Sequence, residues 1–264
     1  MISFYLTCLL QGSVPVLAAD PPLAKPVQVD SALQETLNKA FLDAVQKEDL
    51  AEVKRLLVAG ANVRYARDSG NTALHFVAAA GHVELVKMLI AAGADMTALD
   101  ETGHQPIHDA TLQGYLEIVQ TLAAAGVKLN AQDGNGQTLL HCAVKRGHTD
   151  MVKWLLSQKV EVNAKDQIGQ APLSFAAENG SLDLAKILVA AGAVVTAKEN
   201  SGDQALHYAA VKGSLELLQF FHQQGADLNA KNKNGDTSYS LAVSRGHKRL
   251  ATWILQEIEK APKK

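Results

Sequence analysis

Residues 72–104 read TALHFVAAAGHVELVKMLIAAGADMTALDETGH. Thr72 is placed to cap a short helix, its hydroxyl accepting a first-turn backbone N–H that has no partner within the helix. Leu74, Ala78 and their neighbours form the buried face of that helix. Gly81 ends it, where a left-handed residue is needed and glycine adopts that conformation without a Cβ clash. A second helix follows, with Val83, Leu85, Val86, Leu89 and Ile90 at helical spacing. Gly93 closes it, and Asp100-Glu101-Thr102-Gly103 then makes a turn in an extended, hairpin-like connection. One such unit cannot bury both helix faces alone, so it must stack against others of its kind.

The chain supplies them. Gly81, Gly114, Gly147, Gly180, Gly213 and Gly246 lie 33 residues apart, and Gly70, Gly103, Gly136, Gly169, Gly202 and Gly235 repeat with the same period. Leu74, Ile107, Leu140, Leu173, Leu206 and Tyr239 keep one apolar register between the two glycine columns. A fixed period of this length marks a solenoid.

These residues closely resemble the ankyrin repeat. Its TPLH signature is matched by Thr72-Ala73-Leu74-His75, Gln105-Pro106-Ile107-His108, Thr138-Leu139-Leu140-His141 and Gln204-Ala205-Leu206-His207. Looser versions stand at Ala171-Pro172-Leu173-Ser174 and Thr237-Ser238-Tyr239-Ser240. The GADVNA ending is matched by Gly126-Val127-Lys128-Leu129-Asn130-Ala131 and Gly225-Ala226-Asp227-Leu228-Asn229-Ala230, while Lys159 replaces the glycine in the middle unit and predicts a strained helix end there. The resemblance implies an all-α fold: a solenoid of stacked helix-turn-helix units with β-hairpin-like loops. The units fall near 39–71, 72–104, 105–137, 138–170, 171–203, 204–236 and 237–264, within a single domain over 31–264.

The outer units are modified as caps. In the first, Lys39-Ala40-Phe41-Leu42 replaces TPLH, and Ser31 with Gln34 fits a capping box that starts the helix early. In the last, Lys248 and Arg249 stand where interior units carry Glu or Asp. Ahead of the domain, residues 1–19 carry no charged side chain and end in small residues, the pattern of a secretory signal peptide. Residues 20–30 hold three prolines and read as a linker. The expectation is a periplasmic or secreted protein, with a cytoplasmic one as the alternative if the leader is not cleaved. No later segment is long and apolar enough to span a membrane.

Composition narrows the function. With 25 Lys+Arg against 27 Asp+Glu and a net charge of −2, the chain is not a broadly basic nucleic-acid binder. Two cysteines cannot supply a disulfide framework, and Cys142 sits in an apolar column with Phe76, Phe175, Tyr208 and Leu241, so it reads as a buried hydrophobe. His75, His108, His141 and His207 fall in the TPLH column and are expected to bond backbone and fix the turn between units. His104 and His222 lie outside the histidine columns, and no Cys/His/Asp cluster is expected around either. No metal, no cofactor and no catalytic residue is read from the sequence.

What remains is surface that the repeat does not dictate. In ankyrin-like stacks the hairpin tips and the exposed side of the first helix line the concave groove that carries partner recognition. The tips here read as an acidic ridge, through Asp68, Asp100, Glu101, Asp133, Asp166, Glu199, Asp203 and Asp236 against Arg67 and Lys233, with the first Asp of each turn (Asp100, Asp133 and Asp166) expected to accept turn hydrogen bonds. Beside it Lys145, Arg146, Lys212 and Arg245 read as a basic strip, against one Glu178. Leu112, Tyr115, Ile168 and Val211 are apolar or aromatic at variable positions and make a candidate protein-binding patch. The expected function is a non-catalytic, monomeric module that binds a protein partner in its groove. A secreted effector, or an inhibitor or immunity-type protein acting on a target protein, is the alternative.

Overall fold

The computed structural model describes residues 30–260. The expected signal peptide, Cys8 and most of the linker lie outside the described residues, as do 261–264. The described chain forms helices that pair in order: α1 (Ser31–Gln46) with α2 (Leu50–Val58), α3 (Ala73–Ala80) with α4 (Val83–Ala91), and α5 (Pro106–Gln113) with α6 (Leu116–Ala124). The pairing continues with α7 (Leu139–Arg146) and α8 (Thr149–Ser157), α9 (Pro172–Asn179) and α10 (Leu182–Ala190), and α11 (Ala205–Lys212) and α12 (Leu215–Gln223). It ends with α13 (Ser238–Ser244) and α14 (Lys248–Lys260). The connections carry isolated antiparallel bridges at Ala66–Thr72 and Gln132–Thr138.

Residue size sets the curvature. Ala110, Ala143, Ala176, Ala209 and Ala242 recur every 33 residues on the first helix of each pair and are wholly buried. Small side chains let neighbouring first helices approach closely, and these helices pack tightly on one another along the stack. The second helices hold larger anchors in one column, Leu89, Leu122, Leu155, Leu188 and Phe221, all fully buried. They touch their neighbours far less, so the stack curves with the first helices on its inner side.

The turns are joined as well. Glu101 N–H donates to Ser69 O at 2.9 Å, Gly134 to Thr102 O at 3.1 Å, Gln167 to Asn135 O at 3.0 Å, Asn200 to Ile168 O at 3.1 Å and Lys233 to Ser201 O at 2.9 Å. One backbone bond per turn fixes the register of each unit on the next. The spacing leaves no room for a side chain: a Cβ on Gly103 would lie 2.5 Å from the Gly134 nitrogen.

Two local readings need correction or extension. Ser31 does not cap α1; it is the first helical residue, and Asp30 accepts from Ala32 N–H instead at 3.1 Å. Gln34 turns inward to Asn38 Oδ1 and Gly60 O rather than back to the helix start. An aspartate before the first turn also complements the helix dipole, which a serine one residue later does not. Lys159 takes φ +59°, as its place in a glycine column predicts, and Glu48, in the Gly81 column of the first unit, does the same.

Candidate partner-binding surface

The histidines of the TPLH column are structural. Thr72 N–H donates to His75 Nδ1 at 3.1 Å, so that nitrogen accepts and Nε2 carries the proton toward His104 O at 3.2 Å. His108, His141 and His207 repeat this, their Nε2 facing Ala131 O, Gln170 O and Ala230 O at 3.1–3.2 Å. Each ring joins the start of its own helix to the chain of the next turn. Burial pushes the pKa of His108 and of His141 down, which keeps the neutral ring that this pattern requires.

A second set of rings closes the other end of the first helices. His148 Nε2 approaches Leu112 O at 3.1 Å and His247 Nε2 approaches Val211 O at 2.9 Å. Tyr115 fills the same place against the preceding unit: a Cβ on Gly81, whose φ is +88°, would meet the Tyr115 ring at 2.8 Å. Asn179 reaches back in the same direction, donating through Nδ2 to Val144 O and Lys145 O.

The candidate surface residues therefore divide. Ile168, 58% exposed, projects from a turn whose backbone is held by its neighbours. Tyr115 is 38% exposed, with its ring partly used in packing. Leu112 and Val211 are half-buried, and their carbonyls are already taken by histidines. Lys145, Arg146, Lys212 and Arg245 are exposed near the ends of their helices. The Lys145 ammonium lies 5.6 Å from the centre of the Phe175 ring, a cation–π contact across units.

The acidic ridge is smaller than the tips suggest, because the turn aspartates bond as expected and several carboxylates are buried, while Asp68 and Glu101 stay exposed. Asp133, Asp166 and Glu199 are buried. Asp133 Oδ1 accepts from Asn135 and Gln137 N–H at 2.8 Å, and Asp166 Oδ1 accepts from Ile168 and Gln170 N–H at 3.0 and 2.8 Å. Asp100 does the same for Thr102 and His104. These carboxylates organise turns and present little charge to a partner. Glu199 is one methylene longer and instead accepts from Tyr208 O–H at 2.7 Å, and burial raises its pKa.

His104 is a correction, because acidic groups do surround it. Its Nδ1 lies 3.7 Å from Asp109 Oδ1 and its Nε2 3.4 Å from Asp133 Oδ2. Asp109 occupies the column held elsewhere by Phe76, Cys142, Phe175, Tyr208 and Leu241, so both members of this contact depart from the repeat. The signal was present in the sequence: one Asp in an otherwise apolar column, five residues after an off-column histidine. Asp109 and then Asp133 raise the His104 pKa to about 10, so the ring is an imidazolium at neutral pH. Asp100, His104 and Asp109 could offer ligand atoms within 4.8 Å of one another. A metal would first have to displace a proton from that ring, and the group acts as an ionic clasp between turns. Cys142 is buried as expected, and burial pushes its thiol up to about 12, far from a nucleophile's range.

The family model described as ankyrin repeats in three copies matches residues 41–133 and 125–199, and the one described as ankyrin repeats in many copies matches 206–255. The chain belongs to the ankyrin-repeat family. Among solved structures, the ankyrin-repeat domain of Bcl-3, described as a unique member of the IkappaB protein family, superposes with a TM-score of 0.69 at 31% identity. The match covers 82% of this chain and 97% of that one. No curated protein matches the chain in sequence. Ankyrin repeats are protein-interaction modules, and no described helix of this member is long and apolar enough to cross a membrane.

Proposed function

We propose that this ankyrin-repeat protein is a non-catalytic binding module that holds one protein partner in the concave groove formed by its first helices and turns. The observation that carries the reading is the exposed side chain of Ile168 on a turn whose own backbone is fixed on both sides. A rigid support lets an apolar anchor bind with little ordering entropy lost. Half-buried Leu112 and Val211 add apolar surface along the inner helices. The charge-free leader over 1–19 supports export, to the periplasm or beyond, as a monomer acting by masking or recruiting its target.

The test is partner capture from the native host with wild type and with Leu112→Ser, Ile168→Ser and Val211→Ser combined. Loss of a stoichiometric partner with helicity retained supports the groove, and undiminished capture overturns it. Intact mass of the recovered chain reads the leader: removal of about 19 residues, in an envelope fraction, supports export, and an uncut cytosolic chain overturns it.

A further inference from the structure

The basic strip and the smaller ridge together change the charge of the groove. Arg146, Lys212 and Arg245 stand at one position of the repeat, separated by one or two periods of 33 residues, with Asn179 in the remaining place. All three are exposed at or just past the end of a first helix. A second row, Lys165, Lys198 and Lys231, recurs with the same period just before the turns and is also exposed. In the N-terminal units the same two positions hold Ala80 and Gln113, and Ala66, Leu99 and Gln132. In these two columns, positive charge is therefore confined to the C-terminal units.

These cations lack the partners that charges find elsewhere. On the second helices Lys87 pairs with Glu84 and Glu117, and Arg55 pairs with Glu52. Among the described residues, no carboxylate lies within 4.0 Å of the ammonium or guanidinium nitrogens of either row. Of the carboxylates in these units, Asp166 and Glu199 are buried and bonded within the protein, Asp203 and Asp236 are half-buried and accept from Asn232 and Ser240, and Glu178 is the exposed one on a first helix. Lys165 Nζ donates to Lys198 O of the next unit at 2.8 Å, but no carboxylate neutralises either row, and like charges in a row leave an attractive field for an anionic ligand.

We propose that the C-terminal half of the groove binds an extended acidic segment of a partner protein, an inference that rests on the groove-binding reading above. Helices pack about 8–10 Å apart, so the three steps from Arg146 to Arg245 span roughly 24–30 Å, the reach of about seven to nine extended residues. Carboxylates on such a segment meet one cation every unit, while its apolar residues meet Val211 and the exposed Val243 between them. The apolar side chains among the cations, and an overall charge of −2, favour an acidic peptide over a polyphosphate backbone.

The experiment uses the full chain and a fluorescein-labelled 20-residue poly-glutamate, read by fluorescence anisotropy at low and physiological salt. Wild type is expected to bind with an affinity that falls as salt rises. Arg146→Gln, Lys212→Gln and Arg245→Gln combined should weaken binding by about tenfold, the sum of three exposed ion pairs. Lys87→Gln, Lys153→Gln and Lys186→Gln, a control of equal charge on the second helices, should leave it within about twofold. Equal loss in both variants, or no loss in the first, overturns the proposal. Tighter binding of a 20-nucleotide single-stranded DNA or of phosphatidylserine vesicles than of poly-glutamate also overturns it. Native-host capture separates this proposal from the groove reading. A partner retained by the cation variant but lost by the apolar one sinks the acidic segment alone, and a partner retained by both sinks the groove.

Discussion

At the residue scale the most consequential side chain is His104. It holds a positive charge between Asp109 and Asp133, and the Asp133 side chain is only 2% exposed. His104→Ala leaves a buried carboxylate without its counter-charge, and should lower stability by about 2–4 kcal/mol, measured by urea unfolding. The raised pKa predicts the sign of a pH effect. The folded protein holds this proton more tightly than the unfolded chain, so the stabilisation is complete below about 6.5 and is lost as pH rises toward about 10. His108 and His141 act oppositely. Their pKa values are lowered by burial, so stability falls as pH drops below about 6.5 toward their folded values, where the unfolded chain binds the extra protons. Thermal melts from pH 5 to 10 should therefore peak near neutrality, and His104→Gln should flatten the alkaline limb while leaving the acid limb.

At the element scale the helix ends decide local stability. α8 is followed by Lys159 in a left-handed conformation that L side chains adopt with strain. Lys159→Gly removes that strain, offset in part by the greater freedom of glycine in the unfolded chain. The net expectation is a gain of about 0.5–1 kcal/mol by chemical denaturation. The side chain is exposed, so no packing is lost. The opposite experiment sits beside Asp133, in the same turn as the clasp. A Cβ on Gly134 would lie 2.3 Å from Thr102 O, the acceptor of its own inter-turn bond. Gly134→Ala should cost about 1–3 kcal/mol, because backbone must move on one side or the other.

At the scale of the whole molecule, coupling between units is nearest-neighbour, through the first helices and one backbone bond per turn. Gly134→Ala strikes a single joint, between the second and third turns of the ladder, and leaves every unit's own core intact. Its unfolding curve should split into two transitions where wild type shows one, with the N-terminal units melting first, since they lose a neighbour and are the shorter part. A single shared transition would mean that the helix contacts alone carry the coupling. The same architecture explains the groove. Because units repeat, a side chain placed once per period becomes a row, and a row of exposed cations becomes a surface.

The sequence by itself determined the fold and the left-handed helix ends, because a 33-residue period forces equivalent residues into equivalent environments. Gly81 had to be left-handed, and Lys159 had to inherit a glycine's conformation. Tertiary structure decided how much of the charge reaches solvent. An aspartate that opens a turn bonds its own backbone whatever stands beside it, yet how deeply Asp133, Asp166 and Glu199 are buried depends on the neighbouring units that cover them. His104 and Asp109 are separated by five residues that include a helix start, and Asp133 belongs to the following turn. Only stacking brings the three together, because a clasp between units is a property of their contact and of neither unit alone.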